Sequence, residues 1–390
     1  MLPVRLKQIR LSKGLSLEAL SLKMKGLVTK QALSKYEQGL SMPSPNVLAK
    51  MAEALEVRAV SLFAGNNLDI NFIGYRKRLT LSKKEQIKIE NIVKQSLEER
   101  IALQEKVQGE VKVKIPVHRF KIDHLDETED VAEKLRENWD LGKGCLANVV
   151  SILEEQGIHI VEIDVDEKFD GLSAAAYEKK QIKGAIIAIN KPNCGERQRL
   201  NLTHELGHLV LNISETLDQE KAAFRFGAAF LVPKNIIYKE IGIKRRSVSL
   251  EELLLLKRKM GISIQALVKR LKDLNLISAN HYSELFETIT KLGWRKKEPE
   301  TFPSEQLSWV KQNVLRGYNE GLLSKDDAEN ILKEKIEDGL SLNLNRKNIY
   351  TKISSLDRKR LLREQSKKYA AFYKRELKQM QEWQEGDILG

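Results

Sequence analysis

The sequence predicts a mostly α-helical chain, with an all-α domain at the N-terminus, a small α+β domain in the middle and a helical C-terminal extension. Three observations carry this prediction. Apolar residues recur at helical spacing through most of the 390 residues. Two segments read as strands, Ile158–Ile163 by alternation and residues 184–189 by being apolar throughout, and helices flank them. Charge is partitioned: residues 1–65 hold 10 Lys/Arg against 4 Asp/Glu, residues 341–390 hold 12 against 6, and the stretch between holds 45 against 44. The net charge of +13 therefore sits at the two ends, which points to separate modules with separate partners. No apolar run approaches the ~18 residues that a membrane helix needs. Two cysteines, Cys145 and Cys194, are too few for a disulfide framework, so the chain reads as cytoplasmic, with no membrane partner.

Residues 1–66 form the first domain. Leu6, Ile9 and Leu11 open a helix that Gly14 stops, and Ser16 caps a second carrying Ala19, Leu20 and Met24. Thr29 caps a third, Lys30–Gln38, closed by Gly39. Met42-Pro43-Ser44-Pro45 leads into a fourth with Val47, Leu48, Met51, Ala52 and Leu55 on one face. Two short helices with a polar second member are what a helix-turn-helix needs, the second entering the major groove of double-stranded DNA by its N-terminal end. Lys30, Gln31, Ser34 and Lys35 fall on that outer face and are the candidate operator contacts, since Gln pairs with adenine and Lys reaches guanine. A protein-interaction module with solvated lysines is the other reading.

This stretch resembles the Cro/repressor-type (Xre) helix-turn-helix family. The matching residues are Arg5-Leu6-Lys7-Gln8-Ile9-Arg10, Gly14-Leu15-Ser16, Ala19-Leu20 and Ser34-Lys35-Tyr36-Glu37-Gln38-Gly39, with Pro45, Leu48, Ala52, Ala54 and Leu55 behind them. The resemblance implies a structural ion pair between Arg10 and Glu37, and a homodimer reading paired half-sites. Leu17 stands where relatives often carry a phosphate-touching Gln.

Residues 67–128 read as a helical linker centred on 83–105. A domain over 129–298 follows, in the order helix, strand, strand, helix. Its last helix reads Glu196-Arg197-Gln198-Arg199-Leu200-Asn201-Leu202-Thr203-His204-Glu205-Leu206-Gly207-His208. His204 and His208 are four apart, so both imidazoles project from one helical face and can hold one metal ion. Glu205 lies beside them, suited to take a proton from water. A catalytic zinc needs a third protein ligand, for which Glu215, Asp218 and Glu220 are available. Glu220 is preferred because it opens a second helix, running to Pro233, whose small residues allow close approach. By itself the motif also suits an ordinary helix whose two imidazoles cap a core. Arg197 and Arg199 read as solvated or helix-packing charges more readily than as substrate contacts, and His118, His124 and His159 lack ligand spacing.

The apolar strand before it, the Glu-Arg-Gln-Arg run, His-Glu-Leu-Gly-His and Glu220 with Ala223, Phe226 and Pro233 together resemble the ImmA/IrrE family of zinc metallo-endopeptidases, loosely over residues 130–290. Gly227 stands in place of the family's usual Ala, and Phe230 in place of Leu. The resemblance implies Zn2+ held by His204, His208 and Glu220, Glu205 as general base, and cleavage of a repressor-like regulatory protein.

Ser249 and Ser263 cap two further helices, Leu250–Met260 and residues 264–274, and residues 293–299 look like a boundary. A helical extension over 299–345 precedes a basic amphipathic tail over 346–390, whose stripe is Leu362, Tyr369, Tyr373, Leu377, Met380 and Trp383. That tail is similar to antitoxin segments that wrap a toxin; docking back onto this same protein is the other reading. The alternative function is accordingly an antitoxin-type autoregulator of a toxin–antitoxin operon, with the peptidase fold as scaffold.

Overall fold

The computed structural model describes residues 2–57, 59–63, 68–73, 81–109, 113, 115–165, 169–191 and 194–336. The chain divides into a unit of residues 1–332 and a second from 333 onward. Of the second unit only residues 333–336 are described, so the amphipathic stripe and the toxin contact read from it lie outside the described residues. No helix among the described residues is long and apolar enough to cross a membrane.

The N-terminal helices begin where their caps stand. They are α1 (Leu2–Ser12), α2 (Leu17–Lys23), α3 (Lys30–Gln38) and α4 (Pro45–Leu55). The side chains of Ser16, Thr29 and Ser44 accept from the third backbone N–H beyond each cap, and α3 ends on Gly39 at φ +74°. Leu6, Ile9, Leu20, Leu33, Met51 and Leu55 fill the space between the helices without solvent contact. Arg10 meets Glu37 in a two-pronged buried pair (2.6 and 2.8 Å) and donates its remaining amine to Leu15 O, locking α1 to α3. Leu17 packs half-buried against this core.

The middle of the chain is a four-stranded sheet covered on both faces. Its strands are β1 (Asp69–Ile73), β3 (Ile158–Ile163), β4 (Gly171–Glu178) and β5 (Gln181–Asn190), in spatial order β1-β4-β5-β3. β1 and β5 run antiparallel to β4, and β3 runs parallel to β5. Leu172, Ala174, Ala176, Ile186 and Ala188 face the long helix α5 (Lys83–Gln108) through its Ile89, Val93, Leu97 and Ile101. Ala175, Ala185, Ile187 and Ile189 face the opposite core, which includes α8 (Gly195–Val210). Burial on both faces explains why residues 184–189 are apolar throughout rather than alternating.

Residues 67–128 are more than the helical linker expected. They supply β1, one edge of the sheet; α5, which covers one face; and β2 (Phe120–Ile122), which pairs with β6 (Leu211–Ile213). The strand-strand order expected for the domain also lacks β4, whose Ser173-Ala174-Ala175-Ala176 run has no intrinsic strand preference and is extended because its neighbours pair with it. The N-terminal domain docks on the same α5. Arg5 pairs with Glu98, Gln8 donates to the same carboxylate at 3.2 Å, and Ser12 Oγ donates to Gln95 at 2.9 Å.

The remaining helices are α6 (Glu127–Asn138), α7 (Val149–Glu155), α9 (Gln219–Leu231), α10 (Lys234–Ile241), α11 (Leu250–Met260), α12 (Ile264–Asp273), α13 (Ala279–Lys291), α14 (Trp309–Asn319) and α15 (Lys325–Leu332). Ser249 and Ser263 cap α11 and α12 as expected. The boundary expected at 293–299 is instead the start of a strap over the front of α8. Lys257 is buried between Glu196 (2.5 Å) and Glu298 (2.6 Å). Gly195 N donates to Phe302 O at 2.7 Å, and Glu305 binds Arg199 at 2.7 Å and the Val150 N–H at 2.8 Å. These charges are distant in sequence, which is why the hydrophilic stretch 293–299 reads as a boundary.

Candidate metal centre

α8 lies against β4 and β5 with Leu202, Leu206 and Leu209 buried beneath it. That orientation turns His204 and His208 together toward α9. The two helices pack closely because two glycines face backbone. A Cβ on Gly207 would sit 3.1 Å from Ala223 Cα, and one on Gly227 would sit 2.9 Å from His204 N. Asp218 caps α9, its carboxylate accepting from Glu220 N (3.1 Å) and Lys221 N (3.3 Å). Glu215 is exposed in the preceding turn. Of the three candidate third ligands, Glu220 is the one brought to the imidazoles.

Three side chains bring their donor atoms close together. His204 Nε2 and His208 Nε2 are 3.1 Å apart, Glu220 Oε2 is 3.4 Å from the first and Glu220 Oε1 3.5 Å from the second. Bonds of ~2.0–2.1 Å at tetrahedral angles around one ion put donors about 3.3 Å apart, so the set fits zinc with a fourth position left for water or substrate. It is also the donor set that suits zinc chemically, two imidazoles and a carboxylate. Among the described residues it is the cluster that could hold a metal. Hydrogen bonding to the two imidazoles holds the Glu220 carboxyl well below the usual carboxylate range, against the opposing effect of its burial.

Glu205 is 2% exposed, and its carboxylate lies over Gly171 of β4. A Cβ there would come within 2.5 Å of Oε1, so Gly171 is the residue that makes room for Glu205. Nothing in the local sequence around Gly171 announces this, since the contact spans 34 residues. Phe224 was likewise missed: half-exposed, it packs on the His204 ring with centroids 4.0 Å apart.

The other candidates fall elsewhere. Arg199 is buried, bound to Glu305 and to Leu146 O, and Arg197 pairs at the surface with Asp170. His159 is fully buried edge-on against Trp309, and burial pushes its imidazole down to about 3. His118 and His124 lie outside the cluster. On α3, Lys30, Gln31 and Lys35 are exposed, whereas Ser34 is half-buried and accepts from Gln38 Nε2 at 3.0 Å. Gln38, exposed beside them, was not among the candidates.

Comparison with known families agrees with this division. Residues 6–62 match the helix-turn-helix family. Residues 153–272 match a peptidase family described as the IrrE N-terminal-like domain. No curated protein matches the chain.

Proposed function

From a chain that joins a helix-turn-helix domain to an IrrE N-terminal-like peptidase domain, we propose a DNA-binding transcriptional regulator with zinc-dependent endopeptidase activity. Its substrate is a repressor or another regulatory protein. The observation that carries the reading is the convergence of His204, His208 and Glu220, with the two imidazole Nε2 atoms 3.1 Å apart and the two Glu220 oxygens 3.4 and 3.5 Å from them, and with Glu205 next to His204 in the chain.

In this reading the three side chains are the metal ligands, and both imidazoles bind through Nε2. A zinc ion held there supplies Lewis acidity toward the scissile carbonyl. Glu205 takes a proton from the attacking water and delivers it to the leaving amine. Its packing over Gly171 fixes where that carboxylate stands. Lys30, Gln31 and Lys35 read the operator, with Ser34 held by Gln38 at their side. Because α1 is tied to α5 by Arg5, Gln8 and Ser12, operator binding carries the peptidase to promoter DNA, where regulatory proteins gather.

The test is Glu205→Gln. The variant should retain one zinc per chain and lose cleavage, so a substrate accumulates in cells carrying it relative to wild type. Zinc-free wild type, or unchanged cleavage by the variant, overturns the reading.

A further inference from the structure

Away from the metal centre, a cavity of about 670 Å3 opens between the C-terminal ends of α5 and α7 and the N-terminal half of α14. Volumes of this order hold small molecules, and the walls of such sites join an aromatic or apolar surface to a few convergent polar groups. Trp309 supplies the aromatic surface here, and Gln104, Glu154 and Asn313 are among the polar walls.

Two of these groups are unsatisfied. Gln104 is 7% exposed, yet its amide has no hydrogen-bond partner among the described residues. Buried side-chain amides are almost always paired, so an orphan that lines a cavity points to a ligand. Glu154 is half-buried and likewise makes no hydrogen bond or ion pair among the described residues; Arg100 acts on it only through its charge. The neighbouring walls are already engaged. Gln108 donates to Asn313 Oδ1 at 2.8 Å and Asn313 donates to Trp309 O at 2.8 Å, which ties α5 to α14. Arg316 at the rim is held by Glu320 at 2.9 Å. Trp309 rests on the buried His159, with ring centroids 4.6 Å apart.

A ligand for this cavity must satisfy a carboxylate and an amide at once while lying beside an indole. A planar group with two adjacent N–H donors meets all three demands. Its donors fork onto the carboxylate, its flat face suits the indole, and a further N–H reaches the amide oxygen. We propose that the cavity binds a small molecule carrying such a group, a guanidinium or the equivalent edge of a guanine ring, held by Glu154 and Gln104 beside Trp309. Gln104 lies six residues beyond Glu98 on α5, so the ligand touches the helix on which the N-terminal domain docks.

Isothermal titration of the full-length chain with agmatine and with guanosine tests this, each beside a control. Putrescine has an ammonium group in place of the planar fork, and inosine lacks the exocyclic amine of guanosine. Binding of agmatine identifies a guanidinium ligand, and binding of guanosine a purine one. In either case the control should bind at least about 10-fold more weakly. Glu154→Gln should weaken binding about 10- to 100-fold and Gln104→Leu about 3- to 10-fold, the scales of hydrogen bonds to charged and to neutral groups. Far-ultraviolet circular dichroism matching wild type establishes that a variant is folded. No binding of either compound, a control that binds equally well, or an affinity unchanged in either folded variant overturns the proposal.

Discussion

Gly227→Ala is the smallest change that should disturb the metal centre without touching a ligand. The added methyl would lie 2.9 Å from His204 N and 3.0 Å from both the Thr203 carbonyl carbon and its Oγ1. Comfortable non-bonded separations are about 3.5–4.0 Å, so α9 must withdraw from α8 by roughly 0.5–1 Å. Two of the three close atoms are backbone in the middle of a buried helix, which cannot swing aside. Overpacking of this kind costs about 1–3 kcal/mol. The same withdrawal pulls Glu220 from His204 and His208, now 3.4 and 3.5 Å away. Metal sites tolerate errors of only about 0.2 Å in ligand distance, so zinc affinity falls together with stability. Denaturant midpoints of the metal-free protein and chelator competition with zinc read the two effects separately. Adding Thr203→Ala should restore part of the lost stability, since it removes one of the three close contacts and leaves the backbone ones. An unchanged midpoint with unchanged zinc affinity would refute the close-packing argument.

Two further outcomes follow from residues outside the centre. Burial raises the Glu154 carboxyl from the ordinary 4.5 to about 7, with Arg100 opposing it. The native state therefore binds this proton more tightly than the unfolded chain; the stabilisation is complete below pH 4.5 and is lost as pH rises through 7. Glu154→Gln should flatten that decline, gaining on wild type steadily as pH rises, and parallel pH–stability profiles would contradict it. On the DNA module, Gln31→Ala should weaken binding to the specific operator by about 1–3 kcal/mol while leaving non-specific affinity nearly unchanged, as gel-shift titration would show.

How much of this was legible in the sequence depended on the distance over which each feature acts. Ser16, Thr29, Ser44, Ser249 and Ser263 cap helices that begin one residue later, so the helix starts could be read locally. His204 and His208 share one turn of helix, and their common face follows from spacing alone. The Arg10–Glu37 pair spans 27 residues and was reached through family resemblance, not from any local pattern. Features resting on distant partners were not legible. β1 meets β4 across about 100 residues, and Arg199 meets Glu305 across 106. The alanines of β4 argue locally against the strand they form. Phe224 reads as one more apolar residue in an apolar helix, and its place on the His204 ring depends on how closely α8 and α9 approach.

The sheet's edge and the strap over α8 also bear on how such a gene can be cut and rejoined. The stretch that matches the peptidase family, residues 153–272, contains all three donors and Glu205. Excised at those limits, it would leave β4 with an unpaired edge and one face of the sheet bare of α5. Arg199 and Lys257 would lose Glu305 and Glu298, and with them the strap that covers this side of α8. The shortest fragment that keeps the centre's supports runs from Asp69 to Glu305, and its α5 is the same helix that α1 grips. Recombination could exchange α3 while preserving the contacts of α1, but it could not lift residues 153–272 out by themselves.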